Sequence, residues 1–167
     1  MASLGDTGLT QPSWLPKALR YNDFDGDWEK FLAVVYHIFE RDFKQSRPAY
    51  QGFPLGYDST IEDGKEAVFW HLTSEKDKKT GNREMDLRRC ERIAWPRPIL
   101  EHPQDQQVSV WKKKRGKEVR IKLWLEGVDY LVVLKEGRNT VILLTAYRTD
   151  REHTRNKLRG ERQLALK

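Results

Sequence analysis

His71, in the stretch FWHLTS, is the one imidazole among four with both aromatic and hydroxyl neighbours. Histidine titrates near neutral pH, so such a residue suits proton transfer. It also falls three positions after Val68, on an inward-leaning helical face where a histidine is more commonly a satisfied core group. Arg88, Arg92 and Trp95 follow at i, i+4 and i+7, a spacing that puts them on one helix face. Arg89 and Arg97 add two more guanidinium groups. Arginine suits phosphate because its planar fork makes two bonds to phosphate oxygens; the plainer reading is a solvated face with Glu91 paired to a neighbouring arginine. Near the end of the chain, VILLTAY alternates so that Val141, Leu143, Thr145 and Tyr147 share a face. Two hydroxyls side by side at a sheet margin would orient a phosphate or donate a proton, although strand propensity alone accounts for both residue types. The segment 111–122, WKKKRGKEVRIK, carries seven positive charges and one negative. Its Lys113, Lys114 and Arg115 read as a phosphate-contacting arm, or as charges that keep a sheet edge from mispairing.

Composition supports an anionic partner. Lys and Arg total 31 against 25 Asp and Glu, a net charge of +6, and six each of Trp, Tyr and Phe suit both core packing and base stacking. No metal or cofactor is expected. The four histidines, at 37, 71, 102 and 153, do not pair with one another or with cysteine at ligand spacing, and Glu118, Glu126, Asp129 and Glu136 sit at turns. Walker, dinucleotide and nucleophile-elbow motifs are missing. The single Cys90 cannot form an internal disulfide and reads as a small buried group on a helix. With no apolar run near the ~20 residues that span a bilayer, and no signal-peptide pattern in 1–16, a cytoplasmic protein without membrane attachment is expected.

The elements that must position these residues are an α+β set, with helices first and an antiparallel sheet after. Residues 1–22 read as an irregular lead-in that Trp14 and Leu15 pin to the body, and 23–167 as a single domain. Within it, 23–98 form a helical layer. The apolar spacing predicts a helix over 27–43 capped by Asp27, a loop after it, a second helix over 62–75, a polar loop at 76–82, and a third helix over 83–95 that Pro96 and Pro98 stop. From 107 to 148 the period becomes twofold. Strands at 108–110, 119–125, 130–135 and 140–147, joined by short Gly-bearing turns, predict a four-stranded antiparallel meander with the helices packed on one face. Residues 149–167 are a charged, helix-permissive tail.

RRCERIAWPRPILEH, a meander containing DYLVVLKEG, and LLTAYRTDREHTRNKL together resemble a bacterial prophage-associated branch of the barnase/EndoU/colicin/RelE-like (BECR) ribonuclease superfamily. The resemblance spans 24–160 and is most specific over 88–160. It implies a substrate cleft across the open sheet face and a toxin-like ribonuclease that works without metal and is held by an antitoxin or immunity protein. The positions matching the superfamily's active-site types are His71, Arg92, Thr145 and Tyr147, with Arg88, Lys135 and Arg148 as further candidates. The expected reaction is attack of the RNA 2′-hydroxyl on the adjacent phosphate to leave a 2′,3′-cyclic phosphate. In it His71 moves the proton, Arg92 and Arg88 neutralise the phosphorane, Thr145 positions a phosphate oxygen, and Tyr147 stacks a base or protonates the leaving group. A non-catalytic RNA-binding module, such as a toxin–antitoxin subunit, and a metal-dependent DNA nuclease are the alternatives.

Overall fold

A computed structural model describes residues 11–165 of the chain; residues 1–10 of the lead-in and signal-peptide readings, and 166–167 of the tail, lie outside them. The fold is mixed α and β. Asp27 caps helix α1 (Trp28–Phe39), its carboxylate accepting from the Lys30 amide at 3.0 Å. The helix runs on into a wider π-type turn, Glu40–Lys44, so that Phe31, Val35, Phe39 and Phe43 are all buried. The irregular segment before it is tied down at several points. Trp14 stacks on His102 and donates to Asp105, Trp95 donates to the Pro16 carbonyl, and the Tyr21 amide donates to the Glu91 carboxylate.

Between residues 44 and 86 the structure departs from the expected loop and helices. Hairpins replace much of them, and their turns explain why. Gln51 and Gly52 adopt positive φ between strands β1 (Ala49–Tyr50) and β2 (Phe53–Tyr57). Asp63 and Gly64 do the same between β3 (Ile61–Glu62) and β4 (Lys65–Glu66), which an Asp-Gly pair accommodates at little cost. The second helix, α2, is therefore only Ala67–Thr73. Strands β5 (Ser74–Lys76) and β6 (Arg83–Met85) form a further hairpin. Asp86 then caps α3 (Leu87–Glu91), accepting from the amides of Arg88 and Arg89. Pro96 does not end a helix. It starts one, α4 (Pro96–Glu101), at the position where its missing amide costs nothing.

Strands β7 (Ser109–Arg115), β8 (Glu118–Leu125), β9 (Tyr130–Glu136) and β10 (Val141–Arg148) pair antiparallel in sequence order. The sheet is six-stranded rather than four-stranded, in the order β1-β2-β10-β9-β8-β7, because β2 adds to β10 in parallel. Its inner face shares one core with α1, α2 and α4: Phe39, Phe69, Ile99, Leu123, Val132 and Leu143 belong to a single buried cluster. The tail is a helix, α5 (Glu152–Ala165), and it covers part of the outer face. Leu158 packs there with Trp111, Trp124, Leu131 and Val133. Glu161 accepts from Lys113 and Lys122, and Arg155 makes a two-pronged pair with Asp129.

One irregularity decides the site. The register of β10 on β9 shifts between Leu143 and Thr145, inserting Leu144 as an extra residue. Val141 and Leu143 face the inner core, but so does Ala146, while Tyr147 packs on the outer cluster. The simple alternation expected from sequence thus breaks, and Thr145 and Tyr147 lie on the face opposite Val141 and Leu143.

Candidate functional site

Strand β2 accompanies β10 only to Leu143, and beyond that point α2 lies against β10. The hand-over leaves a cleft of about 660 Å³ over the half of the outer face that α5 does not cover. His71, Thr145, Arg120, Lys135, Asp58 and Tyr57 are among its lining residues. Arg120 and Lys135 are direct cross-strand partners, as are Lys135 and Ile142, so the two cations stand together on its floor. Glu118 pairs with both, at 2.7 Å from Arg120 and 3.5 Å from Lys135, and leaves the three with a net positive charge.

His71 is half-buried at the cleft wall. Its backbone is held by the Thr145 hydroxyl, which donates to the His71 carbonyl at 2.9 Å, and by Arg89, which donates to the carbonyls of His71 and Ser74. Thr145 is therefore engaged in positioning His71 rather than free for a phosphate oxygen. The ring Nδ1 lies 2.6 Å from Nη2 of Arg83. A guanidinium can only donate, so Nδ1 accepts and the neutral ring carries its proton on Nε2. Burial first, and the Arg83 charge second, hold the imidazolium form below its ordinary range.

Tyr147 stands outside this cleft. Its ring lies under the Arg89 guanidinium, 5.3 Å to the centroid, and it lines an adjoining cavity of about 290 Å³ with Arg88, Arg148 and Arg151. Burial raises its phenol above the ordinary value, so it is a poor acid at neutral pH. The arginines of this cavity are partly neutralised: Arg88 pairs with Glu91, Arg89 with Asp86 and Arg148 with Asp150.

Several other sequence-predicted residues have structural positions. Arg92 is not part of the cleft lining. It donates to the Arg88 carbonyl and lies over the Trp95 ring. Trp95 is 4% exposed and packs edge-on against Tyr130, so its ring face is unavailable to a base. Arg97 donates to the carbonyls of Asp42 and Ser46 and closes the end of the π-type turn. Lys113 is engaged by Glu161, whereas Lys114 and Arg115 are exposed at the β7–β8 turn. Cys90 is fully buried, and burial pushes its thiol up to about 12, which makes it inert. Among the described residues no three His, Cys, Asp or Glu side chains gather as a metal site, and no helix is long and apolar enough to cross a membrane.

Sequence reasoning missed Arg120 and Arg83. The first was within reach, since the alternation that buries Ile121 and Leu123 sends Arg120 to the other face. The second was not, because Arg83 reaches His71 through a hairpin that lay inside an expected loop and helix. Comparison with protein-family models, with curated proteins and with solved structures finds no match for this chain.

Proposed function

We propose that the chain is a metal-independent endoribonuclease that binds RNA in the outer-face cleft and cuts by 2′-hydroxyl attack, leaving a 2′,3′-cyclic phosphate. The observation that carries this reading is the convergence of His71 with Arg120 and Lys135 around one cleft, of a size that suits a small ligand or a nucleotide unit. RNA supplies its own nucleophile. The protein has only to align it, move its proton and stabilise the charge that grows on the phosphate. His71 is the proton carrier. Arg120 and Lys135 neutralise the phosphorane, the part that the sequence reading gave to Arg92. Thr145 and Arg89 position His71 through its carbonyl, and the Arg88, Arg148 and Tyr147 cavity next to it receives a flanking nucleotide. Lys114 and Arg115 add long-range attraction for the RNA backbone. In a toxin-like role the chain would be silenced by an antitoxin or immunity protein with an acidic surface fitted to Arg120 and Lys135.

A second reading, a non-catalytic RNA-binding module, is favoured by one observation: the Nδ1 lone pair of His71 is already engaged by Arg83. The two separate on incubation of a mixed tRNA and mRNA pool in excess EDTA, wild type beside His71→Ala. Cleavage with cyclic phosphate ends, slowed about a hundredfold in the variant, supports the enzyme. Salt-sensitive binding by both proteins with no cleavage by either retires it in favour of the module.

A further inference from the structure

In the free protein the His71 ring is engaged in a way that opposes proton transfer. A proton carrier needs a free lone pair, and the imidazole of His71 has none facing the cleft: Nδ1 accepts from Arg83 and Nε2 bears the proton. Arg83 itself is on the exposed strand β6, and among the described residues its side chain makes one other hydrogen bond, at 3.2 Å to the Ser74 hydroxyl. Its partner at Nδ1 is neutral. A phosphate would be a stronger one, because charge-assisted, two-pronged bonds to phosphate outweigh a single bond to a neutral nitrogen.

We infer that Arg83 is a substrate-released latch, which engages His71 in the free protein and transfers to the scissile phosphate when RNA enters the cleft. This rests on the ribonuclease reading above. The transfer has two effects at one place. It clamps the phosphate within reach of His71, and it frees Nδ1 beside the ribose that the phosphate carries. Nδ1 then takes the proton of the 2′-hydroxyl as the 2′-oxygen bonds to phosphorus. The phosphorus–O5′ bond breaks, and Nε2 gives its proton to the departing 5′-oxygen. The ring starts neutral with its proton on Nε2 and ends neutral with its proton on Nδ1, so a single histidine balances the reaction. Return of Arg83 to Nδ1, after proton exchange with water, resets the ring.

The groups around His71 fit such a device. Arg83 and Arg89 oppose a positive ring, Glu62 and Asp58 favour it, and Arg120 and Lys135 line the same cleft. Removal of Arg83 takes away the largest of the charge effects and leaves the fold intact, since the side chain is on the surface.

The test uses the full chain as wild type, Arg83→Ala and Arg83→Lys. The His71 ring is followed by nitrogen-15 NMR against pH, alone and with a short 2′-deoxyoligonucleotide that binds but cannot be cut. In the free wild type the ring should be the Nε2–H tautomer with a depressed pKa, and the oligonucleotide should raise that pKa. In Arg83→Ala the pKa should already be raised without oligonucleotide, and Arg83→Lys should lie between. In cleavage assays the acid limb of kcat/KM should move to higher pH in Arg83→Ala, with KM up about tenfold. An unchanged His71 pKa and tautomer in Arg83→Ala overturns the latch, as does a variant that cuts with wild-type KM and pH profile. If the wild type cuts nothing in EDTA, the ribonuclease reading fails. The NMR comparison then still decides separately whether Arg83 controls the ring.

Discussion

Glu161→Gln isolates the contact that divides the outer sheet face into a covered and an open half. The Glu161 side chain is 8% exposed, with Lys122 at 2.7 Å and Lys113 at 3.0 Å. Glutamine keeps the shape but turns one acceptor into a donor that faces an ammonium group. Loss of the bond to Lys122, itself well buried, costs ~1.5–3 kcal/mol as a charge-assisted bond. Lys113 is nearly half exposed, so its share is ~0–1 kcal/mol. Lys122 limits the penalty, because burial already lowers its pKa and the unpaired amine can shed its proton. The expected loss is about 2–3 kcal/mol, which for a chain of this size lowers Tm by roughly 5–10 °C. The pH dependence supplies the check. Burial alone would raise the Glu161 pKa, but its bonds to Lys122 and Lys113 prevail and lower it. The contribution is therefore complete above the unfolded carboxylate value of ~4.3, and it disappears as pH falls through the lower folded value. Calorimetry should show the full gap between wild type and variant at neutral pH and a closing gap in acid. Equal Tm at neutral pH, or a gap that persists undiminished in acid, would refute the assigned role of Glu161.

Leu158→Ala removes the buried apolar contact of the same helix with Trp111, Trp124, Leu131 and Val133, and should cost ~2–5 kcal/mol in urea unfolding. Trp95→Phe keeps a ring against Tyr130 but gives up the bond to the Pro16 carbonyl and part of the buried indole under Arg92. It should destabilise by ~1–3 kcal/mol and leave RNA affinity untouched, whereas a base-stacking Trp95 would show a clear loss of binding. Lys135→Ala should weaken RNA binding and reduce the slope of log affinity against log salt by about one phosphate contact; an unchanged slope would mean that RNA does not occupy the cleft floor.

Periodicity carried the sequence reading where the pattern was long. The α1 spacing with its Asp27 cap, and the alternating runs that became β8, β9 and β10, are all present with small shifts of boundary. The reading failed where a short hairpin competes with a short helix. EDGKEAVFWHLTSE satisfies helical spacing over most of its length, yet the Asp63–Gly64 turn and the pairing of Ser74 with Met85 leave only Ala67–Thr73 helical. Among the site residues, Thr145 and Tyr147 were correctly seen as neighbours on one face, but the inserted Leu144 decided which face, and no pattern in VILLTAY announces a bulge. Arg92 was singled out by its helical spacing with Arg88 and Trp95 and by the resemblance, and Arg97 by its charge. Charge does not distinguish a guanidinium that meets solvent from one that closes a turn, as Arg97 does with the Asp42 and Ser46 carbonyls.

The proposed reaction uses RNA's own 2′-hydroxyl as its nucleophile. Its most direct test is an RNA whose cut site has first been mapped, resynthesised with a single 2′-deoxynucleotide immediately 5′ to the scissile phosphate and incubated in EDTA. The expected result is that this one cut vanishes while cuts elsewhere in the same molecule continue at their former rates. Cleavage that persists at the deoxy position, or that appears only when a divalent metal is restored, would contradict the mechanism and the site assigned to it.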